Sequence, residues 1–296
     1  MARLTVLAWC LVCGLGLAAC GNSAATKLPD DAGLDFRVDP SEQAASFDRE
    51  CAAGNIEACR QLGMLYAAGR GVSPDPLRAF KLFQQACAGH DLSACDDLAA
   101  AYMTGTGVDR DDRKAADTYG RACDASNLVA CRNLAGMLLG GRGVAVDLPK
   151  AEQLLERACK ARVTLACTSL GDLDAQLAPK SGDHAVQRWR AAIAHYKQGC
   201  DSGDASGCRE LGVAYRDGKG VQKSASTAAM YLERACIASE VIACRMLGTM
   251  KVTGDGIAKD VERGRQILQR ACDDHDDGAC AELQKLPPPP DGSDIR

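Results

Sequence analysis

Apolar residues recur at helical spacing along most of the chain, in two short segments that alternate. In residues 128–158 the apolar positions of the two segments are Cys131, Leu134, Ala135 and Leu138, then Ala151, Leu154, Leu155 and Ala158. Asn127 and Asp147 stand before these segments, where side-chain oxygens accept hydrogen bonds from free first-turn amides. Glycine pairs such as Gly141 and Gly143 follow the first segment, as expected at a left-handed helix end. The pattern predicts antiparallel helix pairs.

Cysteines mark how often this helix pair recurs. The chain of 296 residues has 17 cysteines, of which Cys10, Cys13 and Cys20 lie in the first twenty residues. The other fourteen form seven pairs, each eight residues apart, that follow one another at a step of 36 residues with one step of 41. A fixed period in this range is typical of stacked repeat proteins. The pairs are Cys51/Cys59, Cys87/Cys95, Cys123/Cys131, Cys159/Cys167, Cys200/Cys208, Cys236/Cys244 and Cys272/Cys280.

Chain reversal explains how two cysteines eight residues apart can meet. On one unbroken helix their alpha carbons would lie about 12 Å apart, since the rise is about 1.5 Å per residue, whereas a disulfide needs about 7 Å or less. We expect the first cysteine at the end of a second helix and its mate one turn into the next first helix. Each disulfide would then join neighbouring repeats, with free thiols or bound metal as the alternatives.

Capping residues and glycine pairs show where the period is regular. The cap position four residues before the second cysteine is Asn or Asp in five repeats. It is Val163 and Glu240 in the other two, where we expect a weaker start to the helix. In the repeat that begins at Cys167, Leu177-Ala178-Pro179 replaces the glycine pair and Asp174 replaces a tyrosine.

The step of 41 residues falls in this same irregular repeat. Asp183 stands at the next cap position, and five extra residues separate it from Cys200. We predict that the second helix of this repeat, 183–200, is longer by more than one turn and projects beyond its neighbours. It carries Trp189, which would contact a partner or fill a packing gap.

The N-terminus predicts an exported lipoprotein. Residues 1–19 contain one arginine and an apolar run of about fifteen residues, which fits a secretory signal. Leu17-Ala18-Ala19-Cys20 resembles a bacterial lipobox, which implies lipidation of Cys20 and a cell-envelope location, periplasmic or surface-exposed, on the outer membrane by preference. Ordinary cleavage nearby is the alternative. If Cys20 is lipidated, the remaining fourteen cysteines pair completely, in an oxidising compartment.

Composition divides the rest of the chain and narrows its partners. Residues 20–45 are polar and irregular and predict a tether, residues 46–286 predict about six helix pairs with capping fragments, and residues 287–296 form a proline-rich tail. The formal net charge of −4, four histidines and few aromatics argue against nucleic-acid binding. We expect a monomer without a cofactor or a metal.

The repeat resembles the Sel-1-like repeat family, a relative of the tetratricopeptide repeats. The resemblance rests on ACRQLGMLYAAGRGV at 58–72 and GCRELGVAYRDGKGV at 207–221, and it covers about residues 51–285. Cysteines at a spacing of eight resemble the disulfide-rich branch, the Helicobacter-type cysteine-rich proteins. The resemblance implies an all-α solenoid, wound as a right-handed superhelix, whose concave face binds a protein or peptide.

In relatives of this fold the first helices line the concave face, which defines candidate binding residues. The residue after each second cysteine and the one four positions further on should lie there. We predict a shallow groove whose arginines bind carboxylates, with a row of arginines paired to nearby acids as the alternative. The candidates, with Trp189 added, are Arg60, Met64, Asp96, Arg132, Arg209 and Arg245.

The competing function is an enzyme, because some relatives with this cysteine pattern are described as penicillin-binding proteins or weak beta-lactamases. The S-x-x-K and S-D-N elements of a serine beta-lactamase are missing, and Lys180-Ser181-Gly182 is a weak match to K-[ST]-G. No histidine pair has zinc-site spacing. A non-enzymatic scaffold is therefore the preferred interpretation.

Overall fold

The computed structural model describes residues 39–287, and these residues form fourteen α-helices without a strand. The predicted signal, Cys20, most of the tether and nearly all of the tail lie outside the described residues. The helices are α1 (Pro40–Ala52), α2 (Ile56–Ala68), α3 (Pro76–Ala88), α4 (Leu92–Thr104), α5 (Asp112–Asp124), α6 (Leu128–Gly140), α7 (Leu148–Lys160), α8 (Ala166–Leu177), α9 (Asp183–Asp201), α10 (Ala205–Asp217), α11 (Ala225–Ile237), α12 (Val241–Thr253), α13 (Val261–Asp273) and α14 (Asp277–Gln284).

Consecutive helices pack against each other along the whole array, which makes residues 39–287 a solenoid of helix pairs. The six pairs run from α2/α3 to α12/α13, with α1 before them and α14 after them. We call the even-numbered members first helices and the odd-numbered members second helices. Because α1 begins at Pro40, residues 40–45 are helical, although the sequence predicted them as the end of the tether.

Seven disulfides join the cysteine pairs that the sequence predicts. Their alpha carbons are 4.5–4.8 Å apart, within the range that a disulfide spans. Closing so short a loop is worth about 2.5 kcal/mol in the chain-entropy account, so the bonds restrain the corners between neighbouring repeats. The bonds are Cys51–Cys59, Cys87–Cys95, Cys123–Cys131, Cys159–Cys167, Cys200–Cys208, Cys236–Cys244 and Cys272–Cys280.

The two cysteines of a pair stand at fixed places in their helices. The first cysteine is the next-to-last residue of a second helix, or of α1. The second cysteine is the fourth residue of the following first helix, one turn in as predicted, at Cys59, Cys95, Cys131, Cys208, Cys244 and Cys280. Cys167 departs from this expectation. It is the second residue of α8, because that helix begins late.

Hydrogen bonds from one second helix to the previous one add a second link between repeats. In three second helices, the residue two positions before the first cysteine donates to the carbonyl oxygen of the preceding first cysteine. Arg157 donates to Cys123 O at 2.6 Å, Gln198 to Cys159 O at 3.2 Å and Arg234 to Cys200 O at 2.7 Å. These side chains satisfy carbonyls at helix ends, where the helix itself offers no donor.

Polar side chains cap most of the helices at the predicted positions. Asn127 accepts from two first-turn amides of α6 and Asp147 from the Lys150 amide of α7. The expected weakness at Glu240 is wrong, because its carboxylate accepts from the Ala243 amide at 2.6 Å. At Val163 the expectation holds: α8 begins only at Ala166 and has no side-chain cap.

The irregular repeat has a longer second helix, as predicted. Helix α9 has 19 residues, whereas most of the others have 13, so it is longer by more than one turn of 3.6 residues. The other second helices begin eleven residues before their cysteine, and in α9 this position is Trp189, eleven residues before Cys200. The extension is therefore residues 183–188. Asp183 is the first helical residue and not the cap, which is Gly182.

The second glycine of each pair allows the loop to touch the preceding repeat. Gly107 has φ +73°, and a Cβ there would lie 2.0 Å from Pro76 O. Gly105 has nearly the same φ, +75°, but a Cβ there would have its nearest neighbour, Arg110 Cβ, at 3.4 Å. The two positions share a left-handed backbone and differ in how closely another chain segment approaches.

Gly107→Ala is therefore expected to destabilise the protein more than Gly105→Ala. Both variants add left-handed strain of about 1–2 kcal/mol, and Gly107→Ala adds overpacking of about 1–3 kcal/mol. Urea unfolding followed by circular dichroism measures the difference. Equal losses in the two variants would contradict the role of this close approach.

Candidate binding face of the first helices

The predicted binding residues lie on the first helices, with one exception. Arg60 and Met64 are in α2, and the others of the set, Asp96, Arg132, Arg209 and Arg245, follow in α4, α6, α10 and α12, while Trp189 is in the second helix α9. We call the row formed by the residue after each second cysteine, together with the residue four positions on, the first-helix face. Helix α8 approaches α10, and α12 approaches α14, so first helices of successive repeats are neighbours.

The disulfide cysteines lie beneath this face and are structural residues, not part of a binding site. Six of the seven second cysteines are at most 8 % exposed, namely Cys59, Cys95, Cys131, Cys167, Cys208 and Cys244. Cys280, in the terminal helix α14, is half-buried. Each sulfur is bonded to its mate, so none of these cysteines offers a thiol to a ligand or a metal.

Three arginines of this face pair with carboxylates of the protein. Arg60 Nε lies 2.9 Å from an oxygen of Asp97 in the next repeat. Arg245 Nη1 lies 3.2 Å from Asp276, the capping residue of α14. Arg209 lies between Glu210, at 2.8 Å, and Glu240, at 3.4 Å. These guanidinium groups are therefore engaged within the chain, which is the alternative that the sequence left open.

Arg132 also reaches the next repeat, but through neutral acceptors. It donates to the backbone oxygen of Thr164 at 3.1 Å and to Asn133 Oδ1 at 2.8 Å. Asn133 in turn donates to Asp96 at 2.8 Å. The predicted residues Arg132 and Asp96 are thus connected through Asn133, which sequence analysis did not select.

Asp96 of this face and Glu210, which adjoins Arg209, are half-buried carboxyl groups. Burial raises the pKa of Asp96, the hydrogen bond from Asn133 opposes the rise, and the charge of Asp97 adds to it. Burial likewise raises the pKa of Glu210, against the charge of Arg209. Burial is the largest cause of the raised pKa in both groups.

Met64 and Trp189 are half-buried packing residues in the structure. Met64 packs against the cluster formed by Ala79, Phe83 and Leu98. The backbone and Cβ of Trp189 lie within 3 Å of the position that a Cβ on Gly220 would take, and Lys219 Nζ is 5.4 Å from the indole centroid. Trp189 thus contacts the loop after α10.

A charged cluster that the sequence analysis missed lies inside the irregular repeat. The side chain of Asp174 is 4 % exposed, and Arg188 Nη1 donates to it at 2.6 Å and to Glu152 of α7 at 3.0 Å. His195 Nδ1 lies 2.9 Å from the other oxygen of Asp174. Asp174 stands at the register of Tyr66, and Arg188 stands at the cap register of Asp75. An acid in place of a tyrosine and an arginine in place of a capping aspartate, both in the same repeat, were the signals in the sequence that could have predicted this ion pair.

Three further observations concern a beta-lactamase-like segment, metal binding and membrane-spanning helices. Lys180, Ser181 and Gly182 are exposed in the connection between α8 and α9. Within residues 39–287, no three His, Cys, Asp or Glu side chains are grouped so that they could hold a metal ion. None of the helices in that range is both long and apolar enough to cross a membrane.

The repeating helix pairs define a solenoid protein, and the family comparison identifies its class. The Sel1 repeat family matches residues 56–91, 92–127, 128–162, 205–239 and 241–276, and the chain belongs to this family. The irregular region 163–204 is not matched. The seven disulfides fit a cysteine-rich Sel1 repeat protein. No curated protein matches the sequence.

Two solved structures with TM-scores above 0.6 show the same fold. A Sel1 repeat protein from Oxalobacter formigenes is 23 % identical, with a TM-score of 0.68 over 79 % of this chain and 99 % of that one. The protective antigen c5321 of uropathogenic Escherichia coli is 23 % identical, with a TM-score of 0.67 over 81 % of this chain, which spans only 50 % of that protein. Helicobacter pylori cysteine-rich protein B is 27 % identical over 47 % of this chain and 96 % of its own, with a TM-score of 0.37.

Arg188→Ala should destabilise the irregular repeat, because it leaves the buried Asp174 carboxylate without its cation. We expect a loss of about 1–3 kcal/mol in the free energy of unfolding, measured by urea denaturation. Arg190→Ala, an exposed residue of the same helix, is the control and should change little. Equal effects of the two variants would show that the cluster does not stabilise the repeat.

Asp96→Asn should flatten the dependence of stability on pH. With its pKa raised in the folded state, Asp96 binds its proton more tightly there, so stability falls as pH rises from the ordinary value of 3.8 through the raised pKa. Removing the titrating group removes this fall, so the variant should gain stability relative to the wild type between pH 4 and pH 7. Urea midpoints across this range test it, with exposed Asp109→Asn as the control, and an unchanged slope would refute it.

Proposed function

We propose that this protein is a non-enzymatic scaffold lipoprotein of the bacterial cell envelope, anchored through Cys20, that binds a protein or peptide partner on its first-helix face. Family membership supports the coarser statement, a protein-interaction scaffold rather than an enzyme. The lipobox-like Leu17-Ala18-Ala19-Cys20 supports the anchor. Seven disulfides support an oxidising compartment, because such bonds persist there and are rare in the cytosol.

The observation that carries the binding face is its row of restrained polar side chains. Arg60, Arg209 and Arg245 each pair within the chain, yet their side chains remain 16–35 % exposed. Side chains held in place before binding lose less conformational entropy when a partner arrives. The guanidinium edges and neighbouring carboxylates can therefore donate and accept hydrogen bonds with an extended segment.

Small and apolar residues between the charged ones leave room for such a segment. Gly136 is exposed, and a Cβ there would meet nothing within 4 Å. A groove of about 310 Å³ lies further along the face and includes Arg216, Arg245, Met246 and Thr249 in its lining. Mixed apolar and paired polar groups of this kind are typical of protein interfaces.

Recognition by arginines that bind only carboxylates is less well supported, because three of those arginines already have acidic partners. We propose instead that the partner contacts the remaining N–H groups and the exposed carboxylate oxygens, together with Met246 on α12. This interpretation keeps the predicted residues but changes their role. They form an ordered polar surface rather than a row of free cations.

Photo-crosslinking from opposite sides of the array tests this function. A photo-reactive residue at Gly136, on the first-helix face, should crosslink one stoichiometric partner in native envelopes, whereas the same residue at exposed Gln269 on α13 should not. Adding Arg132→Ala and Arg209→Ala should lower the crosslinked fraction about tenfold, as expected for a loss of roughly 1.4 kcal/mol. Mass spectrometry identifies the crosslinked peptide.

The controls separate loss of binding from loss of fold. Arg113→Ala and Arg263→Ala remove two exposed arginines from second helices and should leave the crosslinked fraction unchanged. Circular dichroism on all variants checks that the array remains folded. Equal crosslinking from Gly136 and Gln269, or no loss in the first-helix variant, would overturn the proposed face.

A further inference from the structure

A groove of about 820 Å³ lies along the second helices of the array, around α5. It differs from the first-helix face because its lining comes from three second helices, α3, α5 and α7, and from the sides of α4 and α6. Its volume is in the range of small-molecule sites. Its apolar lining includes Tyr102 and Val144, which are half-buried, while Leu98, Leu134 and Leu138 lie at its base and are only 5–7 % exposed.

Short side chains on α5 account for the groove. Gly120, three residues before Cys123, stands where every other second helix of the six pairs has a long polar residue, such as Gln84 of α3. A Cβ on Gly120 would meet nothing within 4 Å, so the space beside it is open. Ala116 and Thr118 likewise stand at the registers of Phe80 and Leu82 of α3.

The rim of the groove is charged, and its cations outnumber its carboxylates. Lys114, Arg121 and Lys150 contribute positive charge, while Asp117 and Asp124 contribute negative charge. Lys114 and Lys150 both lie in the first turn of their helices, α5 and α7, where the helix dipole also favours an anion. Asp117 lies about one turn after Lys114, and Asp124 is the last residue of α5.

Lys114 already contacts a carboxylate and an aromatic ring of the protein, whereas the side chain of Lys150 has no ion pair with the described residues. Lys114 Nζ is 3.3 Å from the capping carboxylate of Asp111 and 5.5 Å from the centroid of the Tyr102 ring. Lys150 forms no ion pair with the described residues, although its backbone amide donates to the cap Asp147. Lys150 is therefore the cation best placed to bind an added anion.

We propose that this groove binds a single-chain amphipathic carboxylate, with the alkyl chain in the space beside Gly120, against Tyr102 and Val144, and the carboxylate at Lys150 and Lys114. Burial of an alkyl chain supplies the binding free energy, because apolar surface leaves water with each methylene group that enters the groove. Lys150, which forms no ion pair with the described residues, sets the sign of the head group. This function is separate from partner binding on the first-helix face.

Isothermal titration with two probes of equal chain length tests the proposal. Dodecanoate should bind the purified disulfide-bonded protein with a stoichiometry of one in detergent-free buffer, and dodecyltrimethylammonium should bind at least about tenfold more weakly. Lys150→Gln should weaken dodecanoate about threefold, as expected for an exposed ion pair. Lys160→Gln, at the other end of α7, should leave the affinity unchanged.

Variants that fill the groove provide a second test of the proposal. Ala116→Phe with Gly120→Gln gives α5 the residues that α3 carries at the same registers, and it should weaken dodecanoate by at least about tenfold. Gly120→Gln alone is the milder variant, should the double variant unfold. Absence of dodecanoate binding, equal binding of the cationic probe, or unchanged affinity in a folded variant that fills the groove would each overturn the proposal, whatever the result of the crosslinking experiment.

Discussion

The covalent corner between repeats is the constraint from which the rest of the array follows. A second helix ends, the chain turns within a few residues, and a disulfide joins that end to the start of the next first helix, with alpha carbons 4.5–4.8 Å apart. Because the corner is the same each time, residues 36 apart occupy equivalent positions outside the irregular repeat. A single sequence register therefore becomes a row on one face of the array. This is why the first-helix face and the groove around α5 can each be described by register alone.

The irregular repeat shows what happens when that register is interrupted. Its disulfides, Cys159–Cys167 and Cys200–Cys208, are intact, so the corners on both sides keep their geometry. The additional residues are accommodated as an extension of α9 before Trp189, away from the corner. Where other hairpins are closed by a capping side chain and a glycine pair, this one is held by Arg188, Asp174 and Glu152. The charged cluster thus links α7, α8 and α9 in the repeat that lacks a capping side chain and a glycine pair.

The two faces of the array offer different chemistry. On the first-helix face, arginines and carboxylates link neighbouring repeats, which orders the surface that we propose for a protein partner. On the second helices, three short side chains of α5 leave an apolar groove with a charged rim. Both surfaces result from substitutions within one repeated framework. A repeat protein can in this way acquire separate binding surfaces without any change of fold.

Periodicity and cysteine spacing by themselves determined the helix pairs, the disulfide partners, most of the caps and the longer second helix, because these features depend on residues near one another in the chain. The pairing of Arg60 with Asp97 and of Arg188 with Glu152 was decided by the tertiary structure, since the partners lie 37 and 36 residues apart. The groove around α5 also required the fold. A missing side chain creates space only where the surrounding helices do not close over it, and that depends on their packing.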